Sequence, residues 1–249
     1  MKKNIFILSA FVIILLILPS VKAKSQFGID VESGYVTTGY NDIRIPGDGG
    51  TFFSLSEELK AQGKVYLRLR LNYKPGERHT ISLLYAPLTV LSDGSVGRDI
   101  LYEGVTFPAN SNIEASYKFN SYRITYRYDI VRKPKLDFGL GFTAKIRDAK
   151  IDITSGELYS EKINVGFVPI INFRLHYKPY EKLGLLFEGD ALAAPQGRAE
   201  DVSLAATYKV SDHFLLRAGY RILEGGADND EVYTFSLFHY AAVGLTVAF

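Results

Sequence analysis

The chain has no cysteine, and only four of its 249 residues are histidine. Without cysteine there is no disulfide framework, no lipid-anchored N-terminus and no Cys-x-x-Cys redox or metal motif. There is no His-Glu-x-x-His pattern and no glycine-rich phosphate loop between a strand and a helix, so the common zinc-hydrolase and nucleotide-binding signatures are missing. After the first twenty or so residues no apolar run is long enough to cross a bilayer as a helix. An excess of one charge is lacking too. Lys2 and Lys3 precede an apolar run from Ile5 to Leu18, and Val21 and Ala23 supply the small residues of a cleavage site. This is the pattern of a secretory signal peptide, with cleavage expected after Ala23. Removing residues 1–23 takes three of the 29 basic side chains, leaving 26 against 27 acidic ones. So balanced a charge argues against a nucleic-acid partner.

What remains, residues 24–249, is long enough for one β domain. Seventeen Tyr, sixteen Phe and twenty-two Gly point to many strands. Apolar and polar residues alternate at period two in segment after segment, so each strand presents one face of each kind. The longest such stretch is Asn112–Val131. In its second half Tyr122, Ile124, Tyr126, Tyr128 and Ile130 oppose Arg123, Thr125, Arg127 and Asp129. In its first half Ile113, Ala115, Tyr117 and Phe119 oppose Glu114, Ser116 and Lys118 in the other parity. The phase slips at Asn120-Ser121, which implies a tight turn or a β-bulge.

The connections alternate in kind. Short turns are expected at Lys74–Arg78, Arg132–Lys135, Lys178–Lys182 and Ser211–His213. Longer polar loops are expected around Pro46–Gly50 and at Leu91–Ser111, Thr154–Lys162, Ala194–Arg198 and Glu224–Glu231. Short turns at one end and long loops at the other characterise an outer-membrane barrel, with the short turns periplasmic. A turn at Asn120-Ser121 would break that alternation and make the strand total odd, so the bulge is preferred. Period two alone does not separate a barrel, apolar outside, from a sandwich, apolar inside. Export, strands of about ten residues and aromatics near strand ends favour the barrel. The expected fold is all-β: a transmembrane antiparallel up-and-down β-barrel of about ten strands.

The last segment ends Leu245-Thr246-Val247-Ala248-Phe249. This resembles the C-terminal signature of Gram-negative outer-membrane barrels, the porin-like superfamily, in which a terminal Phe after alternating apolar residues is read by the assembly machinery. The resemblance implies location in the cell outer membrane, contact with its lipid and lipopolysaccharide, and assembly through Phe249. Segments 193–198 and 223–233 resemble one group within that superfamily, and this likeness implies no activity.

The candidate functional residues follow from the phase. Arg68, Arg70, Lys118, Arg123, Arg127, Lys145, Arg147, Arg174, Arg217 and Arg221 are assigned inward, together with Asp30, Glu32, Glu114, Asp129, Asp137, Glu188 and Asp190. They read either as a plug of mutually paired charges or as a narrow, arginine-rich passage or pocket for carboxylate or phosphate groups. At the outer end Arg198, Glu224, Asp228 and Asp230 are candidates. The Glu224–Glu231 run offers oxygen ligands but lacks calcium-loop spacing and reads as a solvated turn, so neither metal nor cofactor is expected. The expectation is therefore a structural or narrow-passage barrel that binds or passes a small anionic solute. The rival is a rim hydrolase acting on lipid or peptide, with His239 beside Ser236 or Asp230 as its best candidate.

Overall fold

The alternating segments pair side to side until the last meets the first. The computed structural model describes residues 26–195 and 197–249, and these contain no helix. The signal-peptide reading and its cleavage point lie outside them. In chain order the strands are β1 (Phe27–Arg44), β2 (Phe53–Ser54), β3 (Lys60–Ala61), β4 (Lys64–Tyr73), β5 (His79–Ala86), β6 (Thr89–Gly94), β7 (Ile100–Tyr102) and β8 (Val105–Phe107). They continue with β9 (Ile113–Lys133), β10 (Leu136–Ser155), β11 (Leu158–Tyr177), β12 (Leu183–Ala194), β13 (Gly197–Lys209), β14 (Phe214–Asp228) and β15 (Tyr233–Ala248). Ten of them, β1, β4, β5 and β9 to β15, form the wall of an antiparallel barrel. It closes where β15 pairs with β1, Ala248 lying opposite Gly28. Closure leaves no free first or last edge strand, which hydrocarbon requires of a sheet.

The four short turns lie at one end, as expected. At the other end the wall is much taller than a bilayer needs. β9 runs for 21 residues and β10 and β11 for 20 each, against roughly 9–11 for a crossing strand. The predicted loop Thr154–Lys162 is therefore mostly strand, with only Gly156 and Glu157 turning the chain. Likewise Glu224–Asp228 belongs to β14, and Gly197 and Arg198 to β13.

The phase slip at Asn120-Ser121 is neither a turn nor a bulge. Pairing with β10 runs unbroken through Asn120↔Asp148 and Ser121↔Arg147. Inward parity also continues: Ile113, Ala115, Tyr117, Ser121, Arg123 and Arg127 are all buried. What changes is the medium outside. Below Ser121 the outward residues Tyr122 to Ile130 face lipid, so the apolar side points out and the charged side in. Above it the outward residues face water, so the polarity inverts while the geometry does not. Lys118 and Glu114, assigned inward, consequently point outward, and Lys118 pairs with Asp148 there at 2.8 Å. The real irregularities lie elsewhere, between Thr38 and Tyr40 and between Phe138 and Gly139. Pro87 also interrupts the wall after β5. There the Asn120 side chain accepts the Leu88 N–H (3.2 Å), and β6 resumes pairing with β9 at Thr89↔Lys118. Asn120 is polar because it bridges that break.

The tall outer part has a conventional core. Ile43, Ile45, Phe53, Leu55, Ile100, Tyr102, Phe107 and Ile153 are all 0% exposed. They come from β1, β10 and the two connections that carry β2–β3 and β7–β8, which fold over the outer mouth on one side. Tyr102 anchors this cap by donating its hydroxyl to the Ile151 carbonyl (3.0 Å). Burial pushes its phenol far above the usual value and keeps it neutral.

Candidate functional site

Within the membrane-level part of the barrel the lumen is filled by ion pairs. Asp201 sits among three guanidinium groups, at 2.8 Å from Arg68, 2.7 Å from Arg123 and 2.6 Å from Arg221. Glu32 takes Arg221 at 2.8 Å and Arg217 at 3.0 Å, and Asp30 also pairs with Arg217. Asp190 takes Arg123 at 2.7 Å, the Thr143 hydroxyl at 2.6 Å and the Asn172 amide at 2.9 Å. Glu188 lies between Arg70 (3.2 Å) and Arg174 (3.4 Å). A buried charge is tolerated when it is paired and hydrogen-bonded, and these carboxylates meet that condition. Gly244 makes the layer possible, since a Cβ there would lie 2.6 Å from the Arg217 guanidinium carbon.

This layer separates two chambers. One, of about 390 Å³, opens at the short-turn end and is lined by Arg70, Lys74, Arg127, Arg174, Arg217 and Glu188 among others. The second, of about 440 Å³, lies on the long-strand side between the apolar core and the lower wall of β12 and β13. A small void of about 10 Å³ lies beside Arg68, Arg123, Tyr66 and Tyr240. The lumenal charges are thus mutually paired.

The outer chamber differs from the layer beneath it. Its walls carry Tyr117, Phe119, Ile151, Leu192, Leu223 and Phe238, and on its floor stand Lys145 and Arg147. Lys145 is 3% exposed. Among the described residues it has neither an ion pair nor a hydrogen bond; its contact is the Phe119 ring, 4.6 Å from the ammonium. Arg147 donates to the Asn164 side-chain oxygen at 2.5 Å, and its buried Nε has no partner. Among the described residues these two cations have no ion pair, whereas the other charged groups lining the chamber, Lys150, Lys162, Arg198, Glu224 and Glu231, stand with the apolar residues around them. Size and lining match small-ligand sites of roughly 300–1,000 Å³ with a few convergent polar groups.

The other predicted residues are placed as follows. Arg68, Arg70, Arg123, Glu188, Asp190, Arg217 and Arg221 meet in the layer of ion pairs, while Arg127 lies below it beside Asp129 (3.5 Å). Arg198 and Glu224 stand on adjacent strands, not in loops. The Arg198 Nε is 2.8 Å from each Glu224 carboxylate oxygen, and Tyr40 donates its hydroxyl to the same group. Asp228 ends β14, and Asp230 lies in the turn that follows, where its carbonyl accepts the Asp48 N–H (3.2 Å). No cluster of His, Cys, Asp and Glu fit to hold a metal occurs among the described residues. The hydrolase pair does not form: Ser236 points inward to the Tyr117 hydroxyl (3.0 Å), whereas His239 faces outward against Tyr220. Reasoning from sequence missed Asp201, whose strand has small inward neighbours and no arginine to mark its face. It also gave Lys145 no special weight, because lack of a partner is not a local property.

A closed antiparallel barrel with an apolar outer band and a polar interior is the fold of the Gram-negative outer-membrane β-barrel proteins. Comparison with solved structures agrees. The chain is similar to the outer-membrane protease OmpT of Escherichia coli, with TM-score 0.55 and 12% identity over 91% of this chain and 98% of that one. It also resembles an outer-membrane channel of Pseudomonas putida F1 (TM-score 0.45, 10% identity, 94% and 100% covered). A third likeness is to the transport unit of the autotransporter AIDA-I of Escherichia coli (0.46, 8%, 94% of each). At these identities the likeness is one of fold. No protein-family model and no curated protein matches the sequence.

Proposed function

We propose that this protein is an outer-membrane barrel, closed to through-flow, whose outer chamber binds a small amphipathic anion. The observation that carries the reading is Lys145, buried on the chamber floor without an ion pair of its own and next to the incompletely bonded Arg147. A buried amine without an ion pair is driven towards its neutral form, and a bound carboxylate, phosphate or sulfate would hold it charged. The aromatic and aliphatic walls then take the apolar body of the ligand. Of the alternatives of passing or binding an anionic solute this reading takes binding, and the layered ion pairs across the lumen support it. On this reading the barrel sits in the outer membrane among lipid and lipopolysaccharide, and Phe249 is its handle for the assembly machinery.

The test is equilibrium binding of radiolabelled dodecanoate to the refolded barrel in a non-ionic detergent. One saturable site is expected, weakened at least tenfold by Lys145→Gln and not competed by dodecanol. Equal affinity in wild type and Lys145→Gln would sink the reading. Planar-bilayer recordings should be silent; steady anion-selective steps would restore the passage.

A further inference from the structure

The outer chamber is not enclosed on all sides. β11 is paired with β10 along its whole length, from Leu136↔Tyr177 to Ser155↔Leu158. Its pairing with β12 covers only Ile171–Tyr177; β12 runs on unpaired to β11 over Leu192–Ala194 and then turns back into β13. Among the described residues, Leu158 to Ile170 therefore have no hydrogen-bonded strand on their second side; the top of this stretch is covered by the cap, where Lys162 pairs with Glu103 at 3.0 Å. Pro169, which has no N–H to donate, stands two residues above the last rung, as suits a strand edge. The gap leads into the chamber: its lining includes Val168 from the inner face of β11 and Phe167 from the outer face.

The height of the gap is informative. On β10 the outward face changes from Ile146 to Asp148 and Lys150, which marks the upper limit of the lipid. Their cross-strand partners on β11 are Phe167, Val165 and Ile163. These remain apolar and are 62, 66 and 57% exposed. The strand flanking the gap thus keeps a greasy outer face where its neighbour has turned polar. An unpaired edge bordering the hydrocarbon is costly, so an opening held at the lipid boundary calls for an occupant.

We infer that this gap is a lateral portal between β11 and β12, through which a single-chain amphipathic anion reaches the chamber from the outer leaflet. The anionic head passes to Lys145 and Arg147 while the chain lies along Phe167, Val168 and Leu192 with its end still in lipid. The inference rests on the chamber being an anion site and adds the lipid phase as the source of the ligand.

The chain has no native cysteine, which makes the test direct. If the register set by Ile171↔Ala191 continued, Pro169 would face Ala193; neither residue lines the chamber. The Pro169→Cys, Ala193→Cys double variant, refolded into vesicles and bridged by a bismaleimide, should bind bilayer-dissolved dodecanoate at least tenfold more slowly. Its final occupancy should match the unbridged protein. Ala193→Trp, which obstructs the gap without a linker, should slow binding in the same way, with heat-modifiable migration verifying the fold. An unchanged rate with normal occupancy overturns the portal and leaves the chamber standing. Absence of dodecanoate binding before and after bridging removes the chamber, and the portal with it. Efficient disulfide dimers of Ile163→Cys in the bilayer would mean that a second copy covers the edge, and would overturn the portal as well.

Discussion

The two ends of this barrel are built on opposite rules with one backbone. At membrane level the outward residues of β9, such as Ile124 and Tyr126, are half-exposed to lipid while Arg123 and Arg127 are buried inside. A few residues higher in the same strand Tyr117, Ala115 and Ile113 are buried, and Glu114 faces solvent. The upper part thus folds like a soluble protein, driven by withdrawal of apolar surface from water. The lower part relies on backbone pairing in a medium without water and on matching of charges in the lumen. The difference teaches that polarity along a strand reports what surrounds it, and the level at which it inverts marks the membrane surface.

This contrast can be broken at several points. The largest effect is expected for Asp201→Ala, which takes one carboxylate partner from each of three buried guanidinium groups; removing one side of a buried ion pair costs about 3–5 kcal/mol, read from urea titrations in vesicles. Next, Ile124→Arg puts a charge on the lipid face and should cost about 2–4 kcal/mol. Ser116→Arg, also outward on β9 but above the lipid, should stay within about 0.5 kcal/mol. Equal costs for those two arginines would refute the assigned membrane boundary. In the outer core Ile153→Val should cost about 0.5–1.5 kcal/mol and appear as faster proteolysis of the cap with the lower wall unaffected. Smallest is Arg98→Ala. Its pair with Glu58, at 2.8 Å, is largely solvent-exposed, and such pairs contribute about 0–1 kcal/mol.

Much of this was legible in local pattern. The alternation in Phe27–Tyr35, Val65–Leu71 and Phe214–Ile222 assigns their faces as found, with Asp30, Glu32, Arg68, Arg217 and Arg221 inward. The turns Lys74–Arg78 and Lys178–Lys182 lie at one end as their brevity implies. The misreading at Asn120-Ser121 has a physical origin: a change of solvent along an unbroken strand produces the same sequence pattern as a bulge. The loops were drawn too long for a related reason. A hairpin standing in water needs no apolar outer face, so the top of β10, with Asp148, Lys150 and Asp152 outward, looks like a polar loop.

The sequence by itself determined the membrane-level strands, the side on which their residues stand and the end at which the turns are short, because these depend on neighbours one or two positions away. The tertiary structure alone decided which charges meet, which cation is left without a partner and where the wall is incomplete. Arg217 finds Asp30 across 187 residues of chain, and Lys145 is left without an ion pair because the nearby Asp190 and Asp201 are bound to Arg123. The gap beside β11 exists because β12 and β13 are 12 and 13 residues long where β10 and β11 are 20. Such facts arise from ring closure, which sets strands of unequal height side by side.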